Sequence, residues 1–170
     1  MLLLMPLLVC SVAFGARLPP HAGPLLDSPT RHIRATDARL GRLLKDGYRR
    51  SPTLAALVDR LQASDLFVYL ETSPGLPQAI DARLEMIPSR TDVRYVRIQI
   101  TTGHSPDEMI ALLGHELRHA VEVADARGVV DSAGMEKLYA RIGTQWGRHA
   151  YETRGALDAA RRVRQELLGS

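Results

Sequence analysis

The sequence predicts one α+β domain in which a small antiparallel or mixed sheet is followed by helices. A chain of 170 residues, 45% hydrophobic and 24% charged, has the size and composition of a single domain with its own core. Segments of alternating hydrophobicity lie in its first half, and helical spacing dominates its second half. The net charge is +3, but the basic residues are scattered among acidic ones, so we expect no nucleic-acid partner.

Residues 1–16 are predicted to be an export signal. The segment is almost entirely apolar, is too short to span a bilayer, and ends in small residues that suit cleavage near Gly15 or Ala16. The mature protein is then expected to be secreted or periplasmic, without a stable membrane span. A competing interpretation is lipid attachment at Cys10, the only cysteine, but Val9 stands where a lipobox has a small residue.

The proline-rich stretch 17–30 is predicted to be a linker, and residues 31–170 to form the folded domain. Apolar residues at helical spacing predict two short helices, 36–44 and 52–62, broken around Gly47. Three segments then alternate at period two and are separated by proline and glycine, which predicts strands. They are residues 66–70, 82–86 and 96–100.

A well-marked helix follows the strands. Ser105 and Glu108 form a capping-box pair, a proline occupies the first helical position, and a later glycine offers the stop. Its apolar residues fall on one arc, which predicts the face that packs on the core. They are Ile110, Leu113, Leu117, Ala120, Val121 and Ala124. Beyond it we expect a shorter helix over 135–142, a glycine-rich connection and a terminal helix over about 149–168.

This helix carries the motif His-Glu-x-x-His at His115, Glu116 and His119. The four-residue step places both imidazoles on one face, one turn apart, where they can bind one metal ion. Zinc held by two neutral histidines keeps room for a third protein ligand and a water, whose pKa the metal lowers. Glu116 can then act as general base toward that water.

The third metal ligand must come from another carboxylate, and Glu152 is the predicted one. Without a glycine after the motif the helix continues, which carries Asp125 to another face and leaves Glu122 unable to close the site. We therefore expect alanine at Glu122 or Asp125 to leave metal binding nearly intact. Glu152 shares a buried arc with Ala156 on the predicted terminal helix, where a carboxylate needs a strong partner. An ion pair with Arg118 is the alternative partner.

The motif together with Glu152 resembles the gluzincins, a zincin group of peptidases in which a glutamate on a later helix completes the zinc site. The small size resembles the minimal gluzincins. The resemblance implies a zincin-like fold, with the third ligand on a C-terminal helix, and a Zn²⁺ site formed by His115, His119 and Glu152. One departure is Ala156, where many gluzincins have an aspartate.

The resulting hypothesis is a zinc metallopeptidase that hydrolyses peptide or protein substrates, with Glu116 as general base. Strand 94–101 is expected to form one edge of the substrate-binding cleft and to pair with an extended substrate. Two alternatives stay open: an exported zinc-binding protein without turnover, and a metal-free helical interaction module. Residues that could stabilise an oxyanion, though ordinary packing explains them as well, are His104, His149 and Tyr151. The oligomeric state is not predicted.

Overall fold

The structure is a computed structural model that describes residues 10–11, 32–77, 80–89, 93–147 and 150–169. Within these ranges the chain is mixed α+β, as predicted. Its helices are α1 (Ala38–Arg50), α2 (Pro52–Gln62), α3 (Pro106–Asp125), α4 (Ser132–Ile142) and α5 (Arg154–Leu168). Its strands are β1 (Cys10–Ser11), β2 (Ile33–Ala35), β3 (Leu66–Thr72), β4 (Ala82–Ile87), β5 (Arg94–Ile100), β6 (Thr144–Gly147) and β7 (Ala150–Glu152).

The main sheet is mixed and has the strand order β2-β3-β5-β4. β2, β3 and β5 run parallel, and β4 runs antiparallel to β5. The apolar residues that alternate along β3 and β5 are fully buried, which accounts for the period of two in the sequence. The prediction that strand 94–101 pairs with a substrate is wrong, because β3 and β4 occupy both edges of β5.

The first two helices are separated at Ser51 and not at Gly47. α1 continues through Gly47 to Arg50, and Ser51 then ends α1 and caps α2 by accepting a hydrogen bond from the Leu54 N–H. A Cβ atom at Gly47 would lie 2.6 Å from Cγ2 of Ile110 in α3. This glycine therefore allows close contact between two helices and does not break one.

The motif-bearing helix α3 begins as predicted, with Ser105 as its N-cap accepting from the Glu108 N–H. The Glu108 carboxylate binds Arg164 of α5 and so joins the two helices. The predicted core arc is buried throughout: Ile110, Leu113, Leu117, Ala120, Val121 and Ala124. The face that carries His115 and His119 is buried as well, so α3 lies in the interior and its motif is surrounded by protein.

The segment before the last helix differs from the prediction. β6 and β7 form an antiparallel pair, and Glu152 is the final residue of β7, not a residue of the terminal helix. α5 begins only at Arg154, because Thr153 is its N-cap and accepts a hydrogen bond from the Ala156 N–H. The prediction that a C-terminal helix carries Glu152 as third ligand is therefore wrong. Glu152 lies at the end of a strand that precedes this helix.

Helix α5 is attached to the start of α2 through Glu166. Its carboxylate accepts hydrogen bonds from the Ser51 hydroxyl and from the hydroxyl and N–H of Thr53, at 2.6 Å and 3.1 Å for the two Thr53 donors. Burial opposes ionisation of Glu166, but these hydrogen bonds outweigh it and lower the pKa of the carboxyl below 4.5. Ionised Glu166 thus stabilises the contact between α5 and α2.

Glu166→Gln is expected to lower the free energy of unfolding at neutral pH by about 1 kcal/mol, because charge-assisted hydrogen bonds are lost at a partly exposed site. A lowered pKa in the folded state means that this stability is present above pH 4.5 and disappears as the pH falls through the folded-state value. Urea unfolding at a series of pH values measures it. A difference between wild type and variant that persists unchanged at pH 2 to 3 contradicts it.

No helix among the described residues is long and apolar enough to cross a membrane. The predicted export signal and linker lie outside the described residues, apart from Cys10–Ser11, which form β1.

Candidate metal centre

His115 and His119 face each other on consecutive turns of α3. Their Nε2 atoms are 3.1 Å apart, and the rings meet edge to face. The rings of His119 and Tyr139, a residue of α4, pack edge to face. The Tyr139 hydroxyl donates a hydrogen bond to the His119 carbonyl oxygen at 3.0 Å. The spacing of the motif and the contact with α4 together aim both Nε2 atoms at one point.

Glu152 reaches the same point from the end of β7. Its Oε2 lies 3.3 Å from Nε2 of His115, and its Oε1 lies 3.5 Å from Nε2 of His119. The Thr153 N–H donates to Oε1 at 2.8 Å and fixes the carboxylate. The carboxylate does not form the alternative ion pair with Arg118, which contacts Glu122.

The separations of the three side chains fit one metal ion. Zinc bonds of 2.0–2.2 Å in a tetrahedron put neighbouring ligand atoms about 3.4 Å apart. Here the two Nε2 atoms are 3.1 Å apart, and each lies 3.3 Å or 3.5 Å from a different oxygen of Glu152. One ligand atom from each of the three residues gives a set that lies within 4.8 Å. Two imidazoles and one carboxylate are also a donor set that such metals accept. His115, His119 and Glu152 are therefore a buried group that could hold a metal ion.

Burial and mutual contacts set the charges of this group. Burial lowers the pKa of His115 to about 4, so its ring is neutral at neutral pH and keeps a lone pair for a metal. Burial also opposes the charged form of His119, but contacts with Glu122 and Glu152 outweigh it and raise its pKa to about 10. A proton and a metal ion compete for Nε2 of His119, so metal binding releases a proton.

Glu122 supports His119 from the side opposite the cluster. Its Oε2 lies 3.1 Å from Nδ1 of His119, and its Oε1 accepts a hydrogen bond from the Thr153 hydroxyl at 2.9 Å. A carboxylate on Nδ1 fixes the tautomer that leaves Nε2 free for a metal. The sequence left open whether Glu122 supports a ligand or is solvated, since the three-residue step from His119 to Glu122 places both on one helical face.

The contact of Glu122 with Nδ1 of His119 changes the expectation from the sequence that loss of this carboxylate leaves metal binding nearly intact. Glu122→Gln is expected to weaken metal binding by about tenfold, because a neutral amide orients and polarises His119 less well. Titration of the metal-free protein with zinc against a chromophoric chelator measures this. Asp125→Asn is the matched control, since Asp125 lies on the same helix but pairs with Arg60 at the surface. Equal affinities for the two variants contradict a role of Glu122 in positioning His119.

Glu116 lies next to His115 in the chain and is fully buried. Neither carboxylate oxygen has a hydrogen-bond partner among the residues that the structure describes. Burial raises its pKa to about 8, while the charges of His119 and Glu152 act on it in opposite directions. A buried carboxylate without a partner is costly, so protein packing alone does not account for Glu116 at this position.

Of the remaining candidates, none described joins the cluster. His104 contacts Asp81, with Nε2 to Oδ1 at 2.9 Å, and Tyr151 is buried within β7. His149 lies outside the described residues. Asp125 is bound to Arg60, as expected for a residue on another face of α3.

Comparison of the chain with protein-family models, with curated proteins and with solved structures gives no match. The function therefore has to be inferred from the residues of the site, which form a buried histidine-histidine-carboxylate group that could hold a metal ion.

Proposed function

We propose that this protein is an exported zinc-dependent peptidase of the gluzincin type. The observation that carries the proposal is the unpartnered, buried carboxylate of Glu116 beside a group suited to a metal ion. A purely structural metal site has no use for such a carboxylate, whereas hydrolysis requires a general base.

In this proposal His115, His119 and Glu152 hold zinc, which when bound lowers the pKa of a water and polarises the substrate carbonyl. Glu116 accepts the proton of the attacking water and passes it to the leaving amine. Burial raises the pKa of Glu116 to about 8 in the metal-free site, and a cation bound beside it would lower that pKa toward the ionised form that accepts a proton. Glu122 keeps His119 in the required tautomer.

The order of elements supports the resemblance to gluzincins, since a small sheet precedes the motif-bearing helix and Glu152 follows it. Two features depart from that family. Glu152 stands at the end of β7 instead of on a helix, and Ala156 replaces the aspartate that many members have. Glu122, from the motif-bearing helix itself, supplies a carboxylate to His119 in this chain.

The second candidate is an exported metal-binding protein without turnover. The observation that favours it is burial, because His115, His119 and Glu152 are only 1%, 1% and 7% exposed. A substrate reaches such a group only after part of the surrounding chain moves.

Digestion of a peptide library separates the two candidates. The zinc-loaded protein is expected to cleave peptides, cleavage is expected to stop with a chelator, and added zinc is expected to restore it. Metal content per chain is measured on the same samples. One zinc per chain without chelator-sensitive cleavage favours the silent metal-binding protein, and no bound metal contradicts both.

A further inference from the structure

The outer edge of β7 is occupied by the two-residue strand β1. Cys10 lies opposite Tyr151, and Ser11 lies opposite Ala150, in an antiparallel pair. The other edge of β7 pairs with β6. β1 also lies close to β4, with Cα atoms of the two strands within 8 Å of each other. The chain thus already binds one extended segment through its backbone, next to both β7 and β4.

The position of β1 is adjacent to the candidate metal centre, because Glu152 follows Tyr151 in β7. In this register, a peptide residue one position before that of Cys10 would face Glu152, with Cα atoms about 5 Å apart. A peptide extended along this edge therefore passes the carboxylate of the cluster. β1 is also the shortest described strand, and so short a pairing is readily displaced.

We propose that the outer edge of β7 binds the extended backbone of a peptide, antiparallel to β7, and that β1 is an internal competitor for this edge. Main-chain hydrogen bonds to a strand edge provide affinity for many sequences. Removal of the predicted export signal would take β1 away and open the edge. That the bound peptide is a substrate rests on the proposed function, whereas the binding itself does not.

The placement of β1 is tested by disulfide formation in the full chain. Tyr151→Cys introduces a cysteine at the register position opposite Cys10, where the Cα spacing of paired strands admits a disulfide, so mild oxidation is expected to remove two hydrogens from the intact mass. Gln145→Cys is the matched control, since it pairs with Tyr151 from β6 and lies about 10 Å from β1, too far for a bond. Because Tyr151 is buried, a second pair, Ser11→Cys with Ala150→Cys in a Cys10→Ser background, provides an independent variant.

Ligand binding is tested with a fluorescein-labelled peptide that has the sequence of residues 5–16, with serine at position 10. Its anisotropy is expected to report binding to the reduced Tyr151→Cys protein and binding at least about tenfold weaker to the oxidised form. Replacement of Cys10 and Ser11 by proline, which removes both N–H groups, is expected to strengthen peptide binding relative to the native chain.

The outcomes separate the two claims. Failure of both cysteine pairs to form disulfides, or equal peptide binding by the oxidised and reduced proteins, overturns the inference. If the zinc-loaded reduced protein digests casein and oxidation stops the digestion, both the peptide site and the peptidase activity are supported. A difference in peptide binding without any digestion keeps the peptide site and contradicts the peptidase.

Discussion

Glu116→Gln is expected to retain bound zinc and to lose peptide hydrolysis by on the order of a hundredfold or more, the contribution of a general base. The amide has nearly the same shape as the carboxylate but cannot accept a proton. Glu116 is not among the three grouped ligand side chains, so zinc affinity is expected to stay within about threefold of wild type. Steady-state cleavage of a fluorogenic peptide and metal analysis of the same preparation measure both quantities.

Glu108→Gln is the matched control for this variant. It makes the same chemical change on the same helix, but the Glu108 carboxylate binds Arg164 away from the cluster. We expect Glu108→Gln to keep wild-type turnover. Unchanged turnover in Glu116→Gln would remove the proposed mechanism, whatever the metal content.

Glu152→Ala is expected to weaken zinc binding by an order of magnitude or more and to abolish hydrolysis, because it removes one of the three proposed protein ligands. The carboxylate also accepts the Thr153 N–H at the start of α5, so alanine could act through the helix end. Glu152→Gln separates these effects, since its amide oxygen still accepts that hydrogen bond but binds zinc poorly.

Zinc titration against a chelator and thermal unfolding of the metal-free proteins test this expectation. Both Glu152 variants are expected to lose zinc affinity, and Glu152→Gln is expected to unfold close to wild type. Asp125→Ala, at the surface pair with Arg60, serves as the control. Wild-type zinc affinity in Glu152→Gln would exclude Glu152 as a ligand.

The elements that the sequence predicted well are those whose signals are local. Alternation located β3, β4 and β5, and the cap at Ser105 located the start of α3. β2, β6 and β7 were missed because strands of three or four residues are too short to show a period. The parallel pairing of β3 with β5 joins segments distant in the chain, which alternation does not report.

In the candidate site, too, the features with a local signal in the sequence were predicted and those that depend on long-range packing were not. His115 and His119 lie together because residues four apart occupy one face of a helix, and the motif contains this spacing. Glu152 was assigned to the buried arc of a helix, but it is extended, because Thr153 interrupts the helical pattern as an N-cap. The burial of Glu152 was predicted correctly, but from an incorrect assignment to a helix. The contact of Glu122 with Thr153 depends on how α5 packs on α3, which no local pattern determines.

Anomalous diffraction at the zinc edge from crystals of the zinc-loaded protein shows which side chains bind the metal. The proposal predicts one anomalous peak bonded to Nε2 of His115, Nε2 of His119 and a carboxylate oxygen of Glu152, at about 2.0–2.2 Å. It also predicts the Glu116 carboxylate beside the remaining coordination position. A peak bonded to Glu122 in place of Glu152, or no peak at this group, would contradict it.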